Sequence, residues 1–422
     1  MDGERRAPRR GGLVGWRVLV TAALIALAAL SPAGAARAEV GDTALMGQNF
    51  WAVPWGGSDP FQPDAQHVRG PDPWKPGFIE EVTPYHIIRF MDWNHTNAHY
   101  GDKEGFQVQG TGWMDRKQKE NPDQRLVAYE WQVDACNRTN SHGWFCAPEM
   151  ADEDYFLGLA VLVKTGVDML AVDLAPLADR LQVMTADDFV AAGGKRTGEP
   201  LAPQLRAYLE YSNETWLFQS KDMKELGAEL GLTGSEYHAY KSVRLFHAFE
   251  QVFGRNSERI RKVVSGQAGN WGVGVGRFKA IYARHPVVNP GLIDKVDAYA
   301  NATYWGPSAE DSARRWRNDR EHIVDAFGVD YYFYEGGNGG AMPQGGVGVG
   351  AVKTPAMYDA YQGYFRVLEE VGYSAGCHYM HSGGREWACI QPNGVGLEKA
   401  MEFSKYRALV EYCGKIPLPR WE

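Results

Sequence analysis

The chain has 422 residues, 44% of them hydrophobic and 23% charged, and a formal net charge of −8. That balance excludes a disordered or collagen-like chain and supplies apolar material for a large core. An acidic surface also disfavours nucleic acid and anionic membranes, which select basic patches.

Arg5, Arg6, Arg9, Arg10 and Arg17 precede or enter a run from Val18 to Leu30 that is almost wholly Ala, Leu, Ile and Val. Ala36-Arg37-Ala38 then fits a small-residue cleavage site ahead of Glu39. Residues 1–38 are therefore expected to be a signal peptide, with Arg9-Arg10 allowing a twin-arginine variant. The apolar run is short for a membrane span. Removing residues 1–38 takes away six Arg, one Asp and one Glu, so the charge moves from −8 to −12. The expectation is a secreted or periplasmic protein with one domain over residues 39–422. In an oxidising compartment Cys136 with Cys146, and Cys377 with Cys389, are close enough in sequence to bridge, leaving Cys413 over.

Beyond the leader, apolar runs bounded by turn residues predict eight strands: 44–50, 86–91, 144–147, 206–211, 262–266, 295–300, 331–334 and 375–379. Helical spacing of apolar residues falls between them, at 152–164 with an Asp cap, 235–253, 309–327 and 354–371. Strands alternating with helices imply parallel pairing, because each crossover needs a dozen or more residues. Eight such units predict an α/β fold, a (β/α)8 TIM barrel with loop insertions; an open doubly wound sheet is the alternative. The extra length falls in 101–125, 166–203 and 336–352. Gly272, Gly274 and Gly276, like Gly346, Gly348 and Gly350, lack phosphate-loop spacing and are expected to form flexible loops. No cofactor motif is present.

Two predicted strands end in a glutamate. Ala207-Tyr-Leu-Glu-Tyr211 runs into Ser212-Asn213-Glu214, and 121 residues beyond Glu214 Tyr331-Tyr-Phe-Tyr334 runs into Glu335. A carboxylate at a strand end is commonly a solvated loop residue. In a barrel, however, strand C-termini share one mouth, and two carboxyls brought together there divide into a proton donor and a nucleophile. With Asn213-Glu214 ending strand four and Glu335 ending strand seven, the chain resembles the clan A retaining glycoside hydrolases, the cellulase-like (β/α)8 enzymes.

That resemblance implies catalytic roles for Glu214 as acid and base and for Glu335 as nucleophile, on a carbohydrate substrate and with no metal or cofactor. It implies that Arg89 lies beside the nucleophile, that Tyr304 donates a hydrogen bond to it, that Asn213 binds a sugar hydroxyl, and that Trp387 forms the platform under the sugar ring. Six of the 14 Trp fall just past predicted strand ends, at 51, 93, 216, 271, 305 and 387, where flat aromatic faces suit sugar rings; Trp216 and Trp387 are the strongest of these. Two other readings compete. One is a barrel that binds carbohydrate without cleaving it; the other is a metal-dependent hydrolase using Asp92, His95 and His99.

Overall fold

Alternation along each strand decides which side chains line a barrel and which meet its helices. In the computed structural model, which describes residues 45–50, 74–75, 77–94, 96, 112–116, 119, 127–169, 172–218, 221–306, 308–338, 352–382, 387–391 and 393–415, that alternation is played out in eight strands. They are β1 (Leu45–Asn49), β2 (Ile87–Arg89), β3 (His142–Ala147), β4 (Ala207–Tyr211), β5 (Ile260–Ser265), β6 (Ala298–Trp305), β7 (Asp330–Asn338) and β8 (Ala375–His378). All neighbours pair in parallel, each strand with the next in sequence, and β8 closes on β1. One principal helix follows each strand: α1 (Phe78–Val82), α2 (Tyr129–Thr139), α3 (Glu153–Thr165), α4 (Gly234–Phe253), α5 (Trp271–Tyr282), α6 (Ala309–Asp319), α7 (Pro355–Val371) and α8 (Ser404–Cys413). The fold is a (β/α)8 barrel, and the described residues all belong to one compact unit.

Two apolar layers result. Outward residues such as Leu209, Tyr211, Val264 and Phe333 pack against the helices. Inward residues, among them Trp144, Tyr208, Tyr332 and Tyr334, fill the barrel, and the small Ala300 and Ala375 flank Tyr332 on the neighbouring strands. Trp144 stacks on Tyr208 at 5.6 Å, and Tyr208 meets Tyr332 at 5.8 Å. This aromatic plug forms a floor below the strand C-termini.

Every predicted strand is present, with ends shifted by a few residues. Asp152 caps α3 by accepting from the Tyr155 N–H at 2.8 Å, and Thr233 with Glu236 forms a capping box on α4. The stretch read as one helix over 309–327 is instead α6, a π turn over Arg320–Val324 and a short last turn. At that junction Asp319 turns inward to accept from Asn301 Nδ2 at 2.7 Å and from the Gly269 N–H at 3.0 Å. The glycines at 272, 274 and 276 lie within α5 and not in a flexible loop; Gly274 leaves room for the ends of Ile323 and Tyr299, which a Cβ would meet at 2.5 and 2.9 Å. The 346–350 repeat and residues 1–38 fall outside the described residues. Within the 166–203 insertion, Val167–Asp168 pairs antiparallel with Lys195–Arg196. Arg116 secures this segment to α2 by reaching both Glu130 (2.9 Å) and Asp168 (2.6 Å).

Neither of the two possible disulfides forms: all five cysteines are free and buried. Cys146 and Cys377 face into the barrel, whereas Cys136 and Cys389 belong to the outer layer, so the barrel wall separates each sequence-adjacent pair. A thiol reagent should label no cysteine in the native protein and all five after denaturation without reductant. Gly376 supplies a second check, because an added Cβ would lie 2.1 Å from the Phe333 ring. Gly376→Ala is expected to destabilise by about 1–3 kcal/mol, read from the urea midpoint.

Candidate active site

The site starts from β4. Tyr208 and Glu210 point inward and Leu209 and Tyr211 outward. Past Tyr211 the chain turns sharply, with Ser212 at φ 57° and Glu214 at φ 44°. A left-handed non-glycine residue costs of order 1–3 kcal/mol and persists only where the surroundings enforce it. Here they do. Tyr211 Oη donates to the Glu149 carbonyl at 2.6 Å, and Thr215 Oγ1 accepts from the buried Arg277 Nη2 at 2.8 Å while sharing a hydrogen bond with His238. Arg277 comes from α5, the helix in which a flexible loop was expected.

On β7, simple alternation would turn Glu335 outward, since Phe333 faces the helices and Tyr334 the interior. The pairing with β6 slips at this point: Asn301 faces Phe333, but Ala302 faces Glu335. Tyr334 is thus the extra residue of a β-bulge, and bulges re-aim side chains. Consecutive residues Tyr334 and Glu335 both serve the mouth. Tyr334 Oη donates to Glu214 Oε1 at 2.9 Å across the barrel, and Glu335 Oε2 lies 3.5 Å from Arg89 Nη1.

Arg89 ends β2 with no exposed surface. Its Nε and Nη2 donate to Glu210 Oε2 at 3.0 and 2.8 Å, Nη2 also to Asn213 Oδ1 at 2.8 Å, and Nη1 to Asn49 Oδ1 at 3.0 Å. The guanidinium is flanked by the Trp144 and Tyr334 rings at 5.7 and 5.1 Å. The expected neighbour, Glu335, is therefore present, but the principal partner is Glu210, which the sequence reading passed over. Its one mark in the sequence is a carboxylate inside an apolar strand, which names no partner.

Tyr304 lies within β6, not past it, and its hydroxyl acts on the Glu335 carboxyl to lower its pKa. Its ring meets Tyr379, the first residue beyond β8, at 6.4 Å, and Tyr379 meets Trp387 at 6.2 Å. Trp387 therefore stands behind Tyr379, which sequence reasoning did not single out. Trp216 packs beside Tyr334 at 6.2 Å with the Arg277 guanidinium 5.1 Å from its ring. The other strand-end tryptophans divide differently. Trp93 and Trp305 are core residues, and Trp271 begins α5, stacked on His322 at 4.4 Å. Trp51 lies outside the described residues, as do His95 and His99. Among the described residues no group of three or more His, Cys, Asp and Glu is set to hold a metal. A groove of about 490 Å³ between α6 and α7, lined by Trp305, Glu310 and Tyr364, contains none of these site residues.

Burial pushes the Glu335 carboxyl well above the usual range; the charge of Glu214 adds to this, while Arg89 and the Tyr304 hydroxyl oppose it. Burial also raises Glu214, against the Tyr334 hydroxyl and Arg89. The two carboxyls therefore lie within electrostatic reach of each other, and a pair so placed holds one proton more readily than two charges. Asp92, just past β2, is lifted to about 7 by burial against the pull of Arg89.

No family model and no curated protein matches the chain. Solved structures do. An α-L-arabinofuranosidase from Thermotoga maritima is 10% identical, covers 89% of this chain and 70% of its own, and has a TM-score of 0.48. A family 51 α-L-arabinofuranosidase from Bifidobacterium longum is 10% identical over 90% and 75%, at 0.48. A modular endo-β-1,4-mannanase from Cellulomonas fimi is 12% identical over 87% and 70%, at 0.41.

A hydroxyl that donates to a carboxylate favours its charged form. Tyr334→Phe should accordingly raise the titration midpoint of Glu214 by roughly half a pH unit, followed through its carboxyl band in infrared difference spectra and assigned with Glu214→Gln.

Proposed function

We propose that this chain is a secreted glycoside hydrolase that cleaves O-glycosidic bonds of a poly- or oligosaccharide with retention of configuration. What supports the reading is that the ends of two strands bring Glu214, 2.9 Å from the Tyr334 hydroxyl, and Glu335, 3.5 Å from Arg89, to one barrel mouth.

The chemistry follows from that asymmetry. Ionised Glu335 attacks the anomeric carbon; the bond from that carbon to the glycosidic oxygen breaks, and Glu214 delivers its proton to the departing oxygen. Water then attacks the same carbon of the glycosyl-enzyme, Glu214 takes up the water's proton, and Glu335 leaves as a carboxylate. Each step uses side-chain carboxyls and water. Asn213, oriented through its Oδ1 by Arg89, is placed to bind a hydroxyl on the sugar at the cleavage point. Tyr379, Trp387 and Trp216 offer apolar faces to sugar rings. Export rests on the Arg-rich, apolar leader of residues 1–38; among the described residues no helix is long and apolar enough to cross a membrane.

A screen of polysaccharides for reducing-end release should find a substrate, and NMR of the first-formed product should show the anomeric configuration retained. Glu335→Gln should abolish turnover, whereas Glu214→Gln should cost about 10²- to 10⁴-fold, and less with a leaving group that needs no protonation. Sugar binding without release by the wild type, or turnover surviving in Glu335→Gln, would overturn the assignment.

A further inference from the structure

Glu210 is a third carboxylate in this region, and neither reaction step uses it. It sits on β4 with no exposed surface. Its Oε2 takes two hydrogen bonds from Arg89, one from Trp144 Nε1 at 2.9 Å and a weak one from Cys146 Sγ at 3.5 Å. Burying two ions costs several kcal/mol each, and an apolar pair of similar volume often serves stability as well or better. An ion pair kept one layer below two reacting carboxyls therefore calls for a reason other than stability.

The geometry supplies two. A guanidinium has five N–H groups. With Nε and one Nη2 hydrogen committed to Glu210, the other Nη2 hydrogen reaches Asn213, and Nη1 faces Asn49 and Glu335. Glu210 thereby fixes the rotation of the fork and, through it, the side chain that precedes the acid. The second reason is charge. Arg89 and Glu210 together are neutral, so the pair above them does not face an unbalanced cation.

We propose that Glu210 is a positioning residue: it locks Arg89 beneath Asn213 and Glu335, and its buried negative charge disfavours a second one on Glu214. The kinetic part of this rests on the hydrolase reading. The charged and titratable groups that face the cluster fit the assignment. Glu214 is met by Tyr334, Arg89, Glu210 and the carboxyl of Glu335, and Glu210 is among the groups that raise it. Glu335 is met by Glu214, Arg89, Asp92 and Tyr304. Around Glu210 itself are Arg89 on β2, Cys146 on β3, Cys377 on β8, Tyr334 on β7 and Arg277 from α5. Arg277 is fixed on Thr215 and the Ser265 carbonyl, so Arg89 is the cation that pairs with Glu210.

The test uses the full chain and two variants. Glu210→Gln keeps the shape and removes the charge. It should lower the Glu214 midpoint, read by infrared difference spectroscopy, by about one pH unit, and the alkaline limb of kcat/KM should move the same way. Glu210→Asp keeps the charge and draws it back by one methylene. It should leave that limb in place while cutting kcat about tenfold or more, as expected when a clamp is misplaced by about 1 Å. A plain structural ion pair would scale activity down at every pH without moving either the midpoint or the limb. An unmoved midpoint in Glu210→Gln overturns the proposal, as does wild-type kcat in Glu210→Asp, which still decides should the glutamine variant fail to fold. Because the infrared midpoint needs no substrate, a wild type that cleaves nothing would sink the hydrolase reading and leave this one to be judged by itself.

Discussion

A guanidinium sealed inside a barrel has five N–H groups to satisfy and one charge to balance, and leaving either undone costs several kcal/mol. Arg89 draws on several elements at once: it makes four hydrogen bonds, to Asn49 from β1, Glu210 from β4 and Asn213 from the turn after it, and sets its charge against Glu210 and, at 3.5 Å, Glu335 from β7, between the rings of Trp144 and Tyr334. Asn49 extends the tie, since its Nδ2 donates to the carbonyls of Tyr334 and His378 at 3.0 and 3.3 Å. Few rearrangements of the barrel's upper layer would leave Arg89 satisfied. The positions of the site residues are thus a by-product of solving one burial problem.

The same layer explains why the two glutamates arrive by different routes. Glu214 reaches the mouth beyond the end of β4, on a turn held in left-handed geometry by Tyr211, Thr215 and Arg277. Glu335 reaches it from within β7, where the slip opposite Asn301 and Ala302 reverses the inward and outward phase. After the slip Gly336 faces Thr303 and Tyr364, which leave no room for a Cβ: one would lie 2.0 Å from Thr303 Oγ1. The glycines after Glu335 are therefore part of the bulge's geometry, not the opening of a flexible loop.

What was legible in the sequence follows from this. Strand positions were readable because a strand buried on both faces writes itself as an apolar run, and Ala207–Tyr211 or Tyr331–Tyr334 stand out on that ground. The helix at 271–282 was not, because three glycines in six residues speak against a helix and only the crowding by Ile323 and Tyr299 shows why Gly274 is tolerated. The disulfide expectation failed for a related reason. Separation along the chain carries no information about which face of the wall a cysteine occupies, and Cys136 and Cys146 lie on opposite ones. Glu210 went unread because one carboxylate in an apolar strand shows its meaning only beside its partner, and Arg89 is 121 residues away. Tyr379 ends an apolar strand run in which nothing separates it from the packing tyrosines of the other strands.

The electrostatics of the pair impose a condition on any reaction run here. Among protein groups alone, burial raises both carboxyls and the charge of Glu214 adds to the rise of Glu335, so the pair holds one proton more readily than none. The proposed chemistry needs that proton on Glu214. A sugar seated between them would shift the balance in the required direction, because a glycosidic oxygen can accept a hydrogen bond only from a protonated Glu214, while the developing positive charge at the anomeric carbon would favour an anion at Glu335. In the proposed reaction the proton's final position would thus be set by the substrate acting with Arg89 and Tyr304, and part of the binding energy would go into arranging charge before any bond breaks. That is differential binding in the sense that accelerates a reaction: the interactions strengthen as the transition state is approached.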